Sequence, residues 1–241
     1  MKYFLYLLLI AIATSCEVTE TIHINPDNSG TIDYDSRRNE HSYMQIAGEE
    51  YSKETVFKDT SYVFNDYILK HMTNFEKYTA QEQALFNTFK NVKVHIKKSA
   101  FDKEFRTIIS QDFQKVADIA DLSKAEDYAD DIKHNYALTA EEHYYNIQFV
   151  LDGNHFKRMV TITNDGILQN ERAKIENYKK QLVNFNVVQT YTLKYYFSRK
   201  IKSVSNRNAI ISDDKKGLEL QFLIFDFLQN PESTNLDVIF E

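Results

Sequence analysis

The chain of 241 residues contains no tryptophan, one cysteine, two prolines and five glycines. A single cysteine excludes a disulfide within the chain, so the fold must depend on the packing of a hydrophobic core. The scarcity of glycine and proline argues against a disordered or low-complexity protein, and 43% of the residues are hydrophobic, which is enough to build a core. The net charge of −6 disfavours general nucleic-acid binding, because that binding depends on cations that displace counterions from phosphates.

The one cysteine, Cys16, ends a short apolar segment at the start of the chain. Lys2 precedes an apolar run from Tyr3 to Ala13, and only small residues separate this run from the cysteine. The run has roughly ten residues, whereas a membrane-spanning helix needs about 20. Such a segment is typical of a secretory leader, and it resembles the signal peptide of a bacterial lipoprotein. The resemblance implies cleavage before Cys16, a palmitate-type lipid on its sulfur and an acylated amino terminus. The alternatives are a plain secretory signal and an uncleaved anchor.

The segment from Glu20 to Ile32 is similar to the opening hairpin of uncharacterised lipoproteins from Bacteroidota-type organisms, and segments 200–206 and 211–217 also look like parts of such chains. This resemblance brings no catalytic residues. It implies a cell-envelope protein whose outer-membrane anchor faces the periplasm, with display on the cell surface as the alternative. We therefore expect the following boundaries: a signal peptide over 1–15, a lipidated tether over 16–20 and a single α+β domain over 21–241.

At several places along the chain, two segments in which apolar and polar residues alternate flank a group of turn residues. This pattern predicts β-hairpins. The clearest pair surrounds Asp152-Gly153-Asn154, where Gly153 suits a tight turn. Further hairpins are predicted around residues 26–30 and 101–104. Additional strands are predicted over 191–197, 218–222 and 236–240.

Helices are predicted between these hairpins from capping-box spacings and from apolar residues at helical intervals. Capping boxes begin at Thr79 and Ser123, and Thr139 repeats the spacing although the sequence soon turns strand-like. Further helices are predicted over 114–120 and 170–185. Because adjacent hairpins dominate the order, the predicted class is α+β, with an antiparallel β-sheet built from hairpins and helices packed on one face.

Motifs for catalysis or metal binding are missing from the sequence. There is no Gly-x-Ser-x-Gly elbow or glycine-rich phosphate loop, and the seven histidines lack the spacing of metal ligands. We therefore predict no enzymatic activity, cofactor or metal site. A hydrolase assembled from dispersed acids and histidines is one alternative. A calcium loop starting at Asn25 is disfavoured, because its twelfth position is Ser36 where a bidentate glutamate is needed.

Aromatic residues are abundant, with 16 tyrosines and 17 phenylalanines. They either fill the core and the sheet faces or line a cavity for a lipid or another hydrophobic ligand. The residues proposed for such a cavity are Phe149, Tyr191, Tyr195 and Phe222. The leading hypothesis is a non-enzymatic binding or structural module, which contacts the membrane through the lipid on Cys16 and binds an envelope protein or a hydrophobic ligand.

Overall fold

The computed structural model describes residues 16–136 and 143–241. Its strands are β1 (Cys16–Ile24), β2 (Gly30–Arg38), β3 (Phe57–Val63), β4 (Lys93–Ser99), β5 (Glu104–Phe113), β6 (Tyr145–Asp152), β7 (His155–Ile162), β8 (Thr190–Phe197), β9 (Ile201–Val204), β10 (Ile210–Ile211), β11 (Gly217–Leu223) and β12 (Leu236–Phe240). Its α-helices are α1 (Glu40–Ala47), α2 (Phe64–Lys70), α3 (Met72–Phe75), α4 (Ala80–Asn87), α5 (Ala125–His134), α6 (Asp165–Leu182) and α7 (Ile224–Gln229). Short 3₁₀ turns occupy Gly48–Lys53, Val116–Asp118, Leu122–Lys124 and Pro231–Thr234.

The strands of the described residues form two sheets. Sheet A has eight strands in the order β10-β11-β8-β1-β2-β5-β4-β3, and sheet B has four in the order β6-β7-β12-β9. Antiparallel pairing dominates both sheets, while β1 and β8 run parallel with Ile22 opposite Tyr195. The parallel pair joins segments that are far apart in the sequence, so the centre of sheet A is closed by a long-range contact.

The hydrophobic core lies on one face of sheet A. On β1, Val18, Ile22 and Ile24 are buried and alternate with less buried polar residues. Sheet B packs against this face over β1 and β8, where the ring of Phe156 lies 5.5 Å from that of Tyr195. Helices α2 to α5 complete the same core beside β3, β4 and β5.

The opposite face of sheet A carries polar side chains that pair across strands. Arg106 of β5 bonds to Asp35 of β2 at 2.7 Å, and Lys93 of β4 bonds to Asp112 of β5 at 2.8 Å. A sheet with one packed and one solvated face produces this alternation. The predicted α+β class is thus confirmed.

The predicted hairpins form as β1–β2, β4–β5 and β6–β7. Gly153 has a φ of +56°, the left-handed conformation that the last of these turns requires. The capping box at Thr79 is also confirmed, because its hydroxyl accepts from the Glu82 amide and the Glu82 carboxylate accepts from the Thr79 amide. The predicted capping box at Thr139 lies outside the described residues.

Several local predictions differ from the structure. Residues 114–120 form only the 3₁₀ turn Val116–Asp118, because the Gln111 side chain bonds the Asp118 carbonyl and the Ala120 amide. Ser123 does not cap α5, since its hydroxyl donates to Asp121 instead. The strands also divide between two sheets rather than one, and the final strand β12 pairs within sheet B.

The residues assigned to a tether, 16–20, belong to strand β1. Cys16 pairs with Arg38 of β2, and Val18 and Glu20 have 8% and 3% of their surface exposed. Backbone pairing on both sides holds this segment in the middle of sheet A. Residues 16–20 are therefore part of sheet A.

Candidate functional site

A buried ion pair joins the two sheets. Glu20 lies on β1 of sheet A, and Arg158 lies on β7 of sheet B. Arg158 Nε donates to Glu20 Oε1 at 3.1 Å and Nη2 donates to Oε2 at 3.3 Å. The Arg158 side chain has no exposed surface and that of Glu20 has 4%, so both charges are withdrawn from water.

Three hydroxyl groups complete this network. Tyr191 donates to Glu20 Oε2 at 2.7 Å and accepts from Arg158 Nη2 at 2.8 Å, while Tyr195 donates to Glu20 Oε1. Arg158 Nη1 donates to the Thr234 hydroxyl at 2.7 Å. Burying charges is tolerated only when they are paired and fully hydrogen-bonded, and this network meets that requirement.

Burial raises the pKa of Tyr191 and of Tyr195 well above the usual value, so both remain protonated donors. Burial acts to lower the pKa of Arg158, but Glu20, Tyr191 and Tyr195 together outweigh it, and the pKa lies well above the usual value. Arg158 therefore stays cationic and the two tyrosines stay hydrogen-bond donors, and the network connects the two sheets.

The four aromatic residues proposed for a cavity lie in or beside this core. Tyr191 and Tyr195 point toward Glu20, and Phe149 packs 6.3 Å from Phe156, which in turn contacts Tyr195. Phe222 is half-buried on β11 and faces Tyr191 across the strand pair. The space enclosed between Glu20, Ile147 and Phe149 is about 10 Å³, which is the order of one water molecule.

A larger cleft opens at the end of sheet A where β5 finishes. Its volume is about 810 Å³, which is within the range of small-molecule sites. One wall is formed by the chain from Leu85 to Asn91, another by residues 111–121, and a third by residues 146–150 of β6. Leu85 is 36% exposed and supplies apolar surface, whereas Phe89, Phe113 and Phe149 lie behind the surface of the cleft with only 2–4% of their own surface exposed.

Polar groups in the cleft are held in place by one another. Lys124 is largely buried, and its Nζ lies 3.2 Å from Asn146 Oδ1 and 3.4 Å from Asp121 Oδ2. Asp121 also accepts from the Ser123 hydroxyl at 2.6 Å. The Gln111 side chain fixes the loop over 118–120 through its hydrogen bonds with the Asp118 carbonyl and the Ala120 amide. The cleft thus combines some apolar surface with charged side chains and several amides, which suits a ligand with both apolar and hydrogen-bonding groups.

The histidines are dispersed over the described part of the chain. His95 bonds to Asp59 on the solvated face of sheet A, and His155 pairs with Asp237 on sheet B. His143 bonds to Asp127 of α5 at 2.8 Å. Within residues 16–136 and 143–241, no three His, Cys, Asp or Glu side chains converge as metal ligands. The turn that matched a calcium loop is closed internally, since Asp27 accepts from the amide and hydroxyl of Ser29.

Sequence reasoning missed Glu20 and Arg158, although a signal was present. Glu20 occupies the apolar phase of the alternating run Val18, Glu20, Ile22, and Arg158 occupies the same phase between Phe156 and Val160. A charge at an inward strand position predicts a buried partner, because an unpaired charge there is prohibitively costly. The cleft residues Gln111, Lys124 and Asn146 carried no comparable signal.

No protein-family model matches the chain, and no curated protein matches its sequence. Its structure is similar to the folded domain of the Mycobacterium tuberculosis protein LppM, determined by NMR. That similarity has a TM-score of 0.40 at 9% sequence identity and covers 95% of this chain and 91% of that one. Among the residues described here, no helix is both long enough and apolar enough to cross a membrane.

Proposed function

We propose that this chain is a lipid-anchored protein of the cell envelope, with its lipid on Cys16, and that its domain is a non-enzymatic binding module. The observation that supports the anchor is the position of the single cysteine directly after the leader-like apolar segment. Cleavage before Cys16 would leave all the described strands and helices intact.

The cleft is the proposed binding site, and it lies far from the anchor. Phe113, in the cleft, pairs with Gly30, which pairs with Ile24 at the last position of β1. Cys16 is at the first position, so the two ends are about 26 Å apart along the strand at about 3.3 Å per residue. A domain anchored through Cys16 presents the cleft away from the bilayer. In the outer membrane, facing the periplasm, it would be open to envelope partners.

A hydrophobic ligand is the second candidate, and the apolar residues at and behind the surface of the cleft, which include Leu85 and Phe149, favour it. Phe149, one of the residues first proposed for a carrier cavity, lines this cleft together with Phe89 and Phe113. Tyr191 and Tyr195 do not line it, because their hydroxyls are engaged with Glu20. The carrier proposal therefore concerns the cleft rather than the space between the sheets.

The anchor is tested with the variant Cys16→Ser, produced from the full chain in a bacterial host. We expect the unaltered chain to lose residues 1–15, to gain the mass of acyl chains and to incorporate labelled palmitate, because the thiol is the acceptor of the lipid. The variant should incorporate no label. A matched control combines Cys16→Ser with Asp213→Cys, which restores one cysteine at an exposed turn. Palmitate on that control, or an unlipidated parent, would refute the anchor.

Binding in the cleft is tested with Gln148→Trp, which places a bulky ring on the exposed side of β6 inside the cleft. We expect native mass spectrometry of residues 17–241 to detect a bound small molecule in the parent and to find it reduced by more than tenfold in this variant. Gln221→Trp makes the same change on an exposed position of β11 and should keep the ligand. Equal occupancy in the two variants would exclude the cleft as the site.

A further inference from the structure

The absence of a spacer between Cys16 and sheet A constrains how the domain sits on a membrane. Five free residues would extend up to about 17 Å, enough to let a domain tumble above the bilayer. Here residues 16–20 are paired within β1, and Glu20 already lies in the core. A lipid on Cys16 would therefore hold the protein surface around the start of β1 directly against the headgroups.

Exposed apolar side chains surround that point. The register brings Glu17 of β1 next to Thr190 of β8, and Thr190 next to Leu223 of β11, so these three residues form one row at the end of sheet A. Leu223 has 55% of its surface exposed. The segment leading into β8 and the neighbouring helix α1 add further exposed apolar groups. We call the following set the anchor-end rim: Met44, Val183, Phe185, Val188 and Leu223.

The rim is held by hydrogen bonds between its two main segments. The amide of Val188 donates to the Ser42 hydroxyl at 2.7 Å, and the amide of Asn186 donates to Gln45 Oε1 at 2.9 Å. Helix α1 is fixed in turn through Arg38 of β2, which lies opposite Cys16 of β1. Arg38 forms ion pairs with Glu40 and Glu54. The exposed apolar groups are thus presented by a braced surface.

Exposed apolar surface of this kind, gathered at one place, marks an interaction site. We propose that the anchor-end rim is seated in the headgroup region of the bilayer that carries the lipid of Cys16. This inference rests on the proposed function, because the lipid on Cys16 is what brings the rim close to the bilayer. The seating holds the domain upright with β1 pointing away from the membrane, and it directs the cleft toward the aqueous compartment.

The experiment uses the absence of tryptophan from the sequence. Phe185→Trp and Leu223→Trp each introduce the sole tryptophan at the rim of the full-length, host-processed protein. The control, Ile210→Trp, places it on β10 at a position with 70% of its surface exposed. Ile210 pairs with Glu219, four residues along β11 from Leu223, or about 13 Å farther from the anchor. Each variant is reconstituted into vesicles of phosphatidylethanolamine and phosphatidylglycerol, with or without lipids bearing a nitroxide on the upper acyl chain.

We expect nitroxide lipids to quench at least half of the emission of the two rim tryptophans, and the emission maximum of both to shift to the blue on reconstitution. The control should keep its emission within one tenth of its value without nitroxide. Rim tryptophans that are quenched no more than the control would overturn the proposal. A blue shift without quenching would also overturn it, because it would mean that a second copy or another protein covers the rim.

Intact mass measured on the same samples separates the two levels of inference. Lipidated protein with unquenched rim tryptophans refutes the seating alone and leaves the anchor standing. Protein without lipid refutes the anchor, and the seating falls with it. Urea unfolding of each variant identifies a misfolded one, and Met44→Trp then replaces it as a rim probe, since Met44 has 44% of its surface exposed.

Discussion

Replacing Arg158 with methionine is expected to lower the free energy of unfolding by about 3–5 kcal/mol, the range for breaking a buried ion pair by removal of one partner. The aliphatic part of the side chain is retained, so the loss comes from charge and hydrogen bonding. Glu20 would remain in the core with the Tyr191 and Tyr195 hydroxyls but without a cation. Thr234 would also lose its donor from the guanidinium.

A double-mutant cycle separates the interaction energy of Glu20 with Arg158 from the energies of their other contacts. Adding Glu20→Gln to Arg158→Met removes the stranded charge. The amide oxygen can still accept from one tyrosine hydroxyl, and the amide nitrogen can donate to the other. We expect the double variant to recover at least about 2 kcal/mol relative to Arg158→Met alone, because neutral groups of similar size are far cheaper to bury than an unpaired ion.

Urea denaturation of residues 17–241, followed by circular dichroism at pH 7, measures these differences. The matched control is Arg106→Met, which breaks an ion pair with Asp35 whose side chains are 40% and 30% exposed. Solvated pairs contribute at most about 1 kcal/mol, so this control should lose far less stability. Similar losses in the two variants would show that the buried ion pair contributes no more to the free energy of unfolding than a solvated one.

The second large effect is expected at Gly30, the first residue of β2. A Cβ atom there would overlap the backbone carbonyl oxygen of His23 and approach Cζ of Phe113 to 2.7 Å. The carbonyl belongs to strand β1, which is paired on both sides and has little freedom to move. We therefore expect Gly30→Ala to cost about 3 kcal/mol, at the upper end of the usual cost of overpacking.

The same urea measurement tests this variant against Gly166→Ala, a second glycine-to-alanine change. Gly166 lies in the first turn of α6, where an added Cβ lies 3.3 Å from Oδ1 of the N-cap residue Asn164, a side chain that can shift by a few tenths of an ångström. Alanine is the better helix former, so this control should be neutral or slightly more stable. A neutral Gly30→Ala would mean that the turn between β1 and β2 adjusts without disturbing the pairing.

Features that depend only on residues close together in the sequence could be predicted from the sequence alone. The alternation around Asp152-Gly153-Asn154 predicted a hairpin because strand periodicity and turn chemistry are local properties. The Thr79 capping box was predicted for the same reason, since both partners lie within one helical turn. The predominance of such hairpins also sufficed for the α+β class.

Other features were decided only by tertiary contacts. The parallel pairing of β1 with β8 and the division into two sheets depend on packing between segments more than a hundred residues apart. Glu20 and Arg158 share no sequence neighbourhood, so their pairing required the two sheets to face each other. The cleft likewise exists only where α4, the loop after β5 and strand β6 meet. Sequence periodicity determines which face of each strand is buried, but the partner that covers that face is selected by the packing of the whole core.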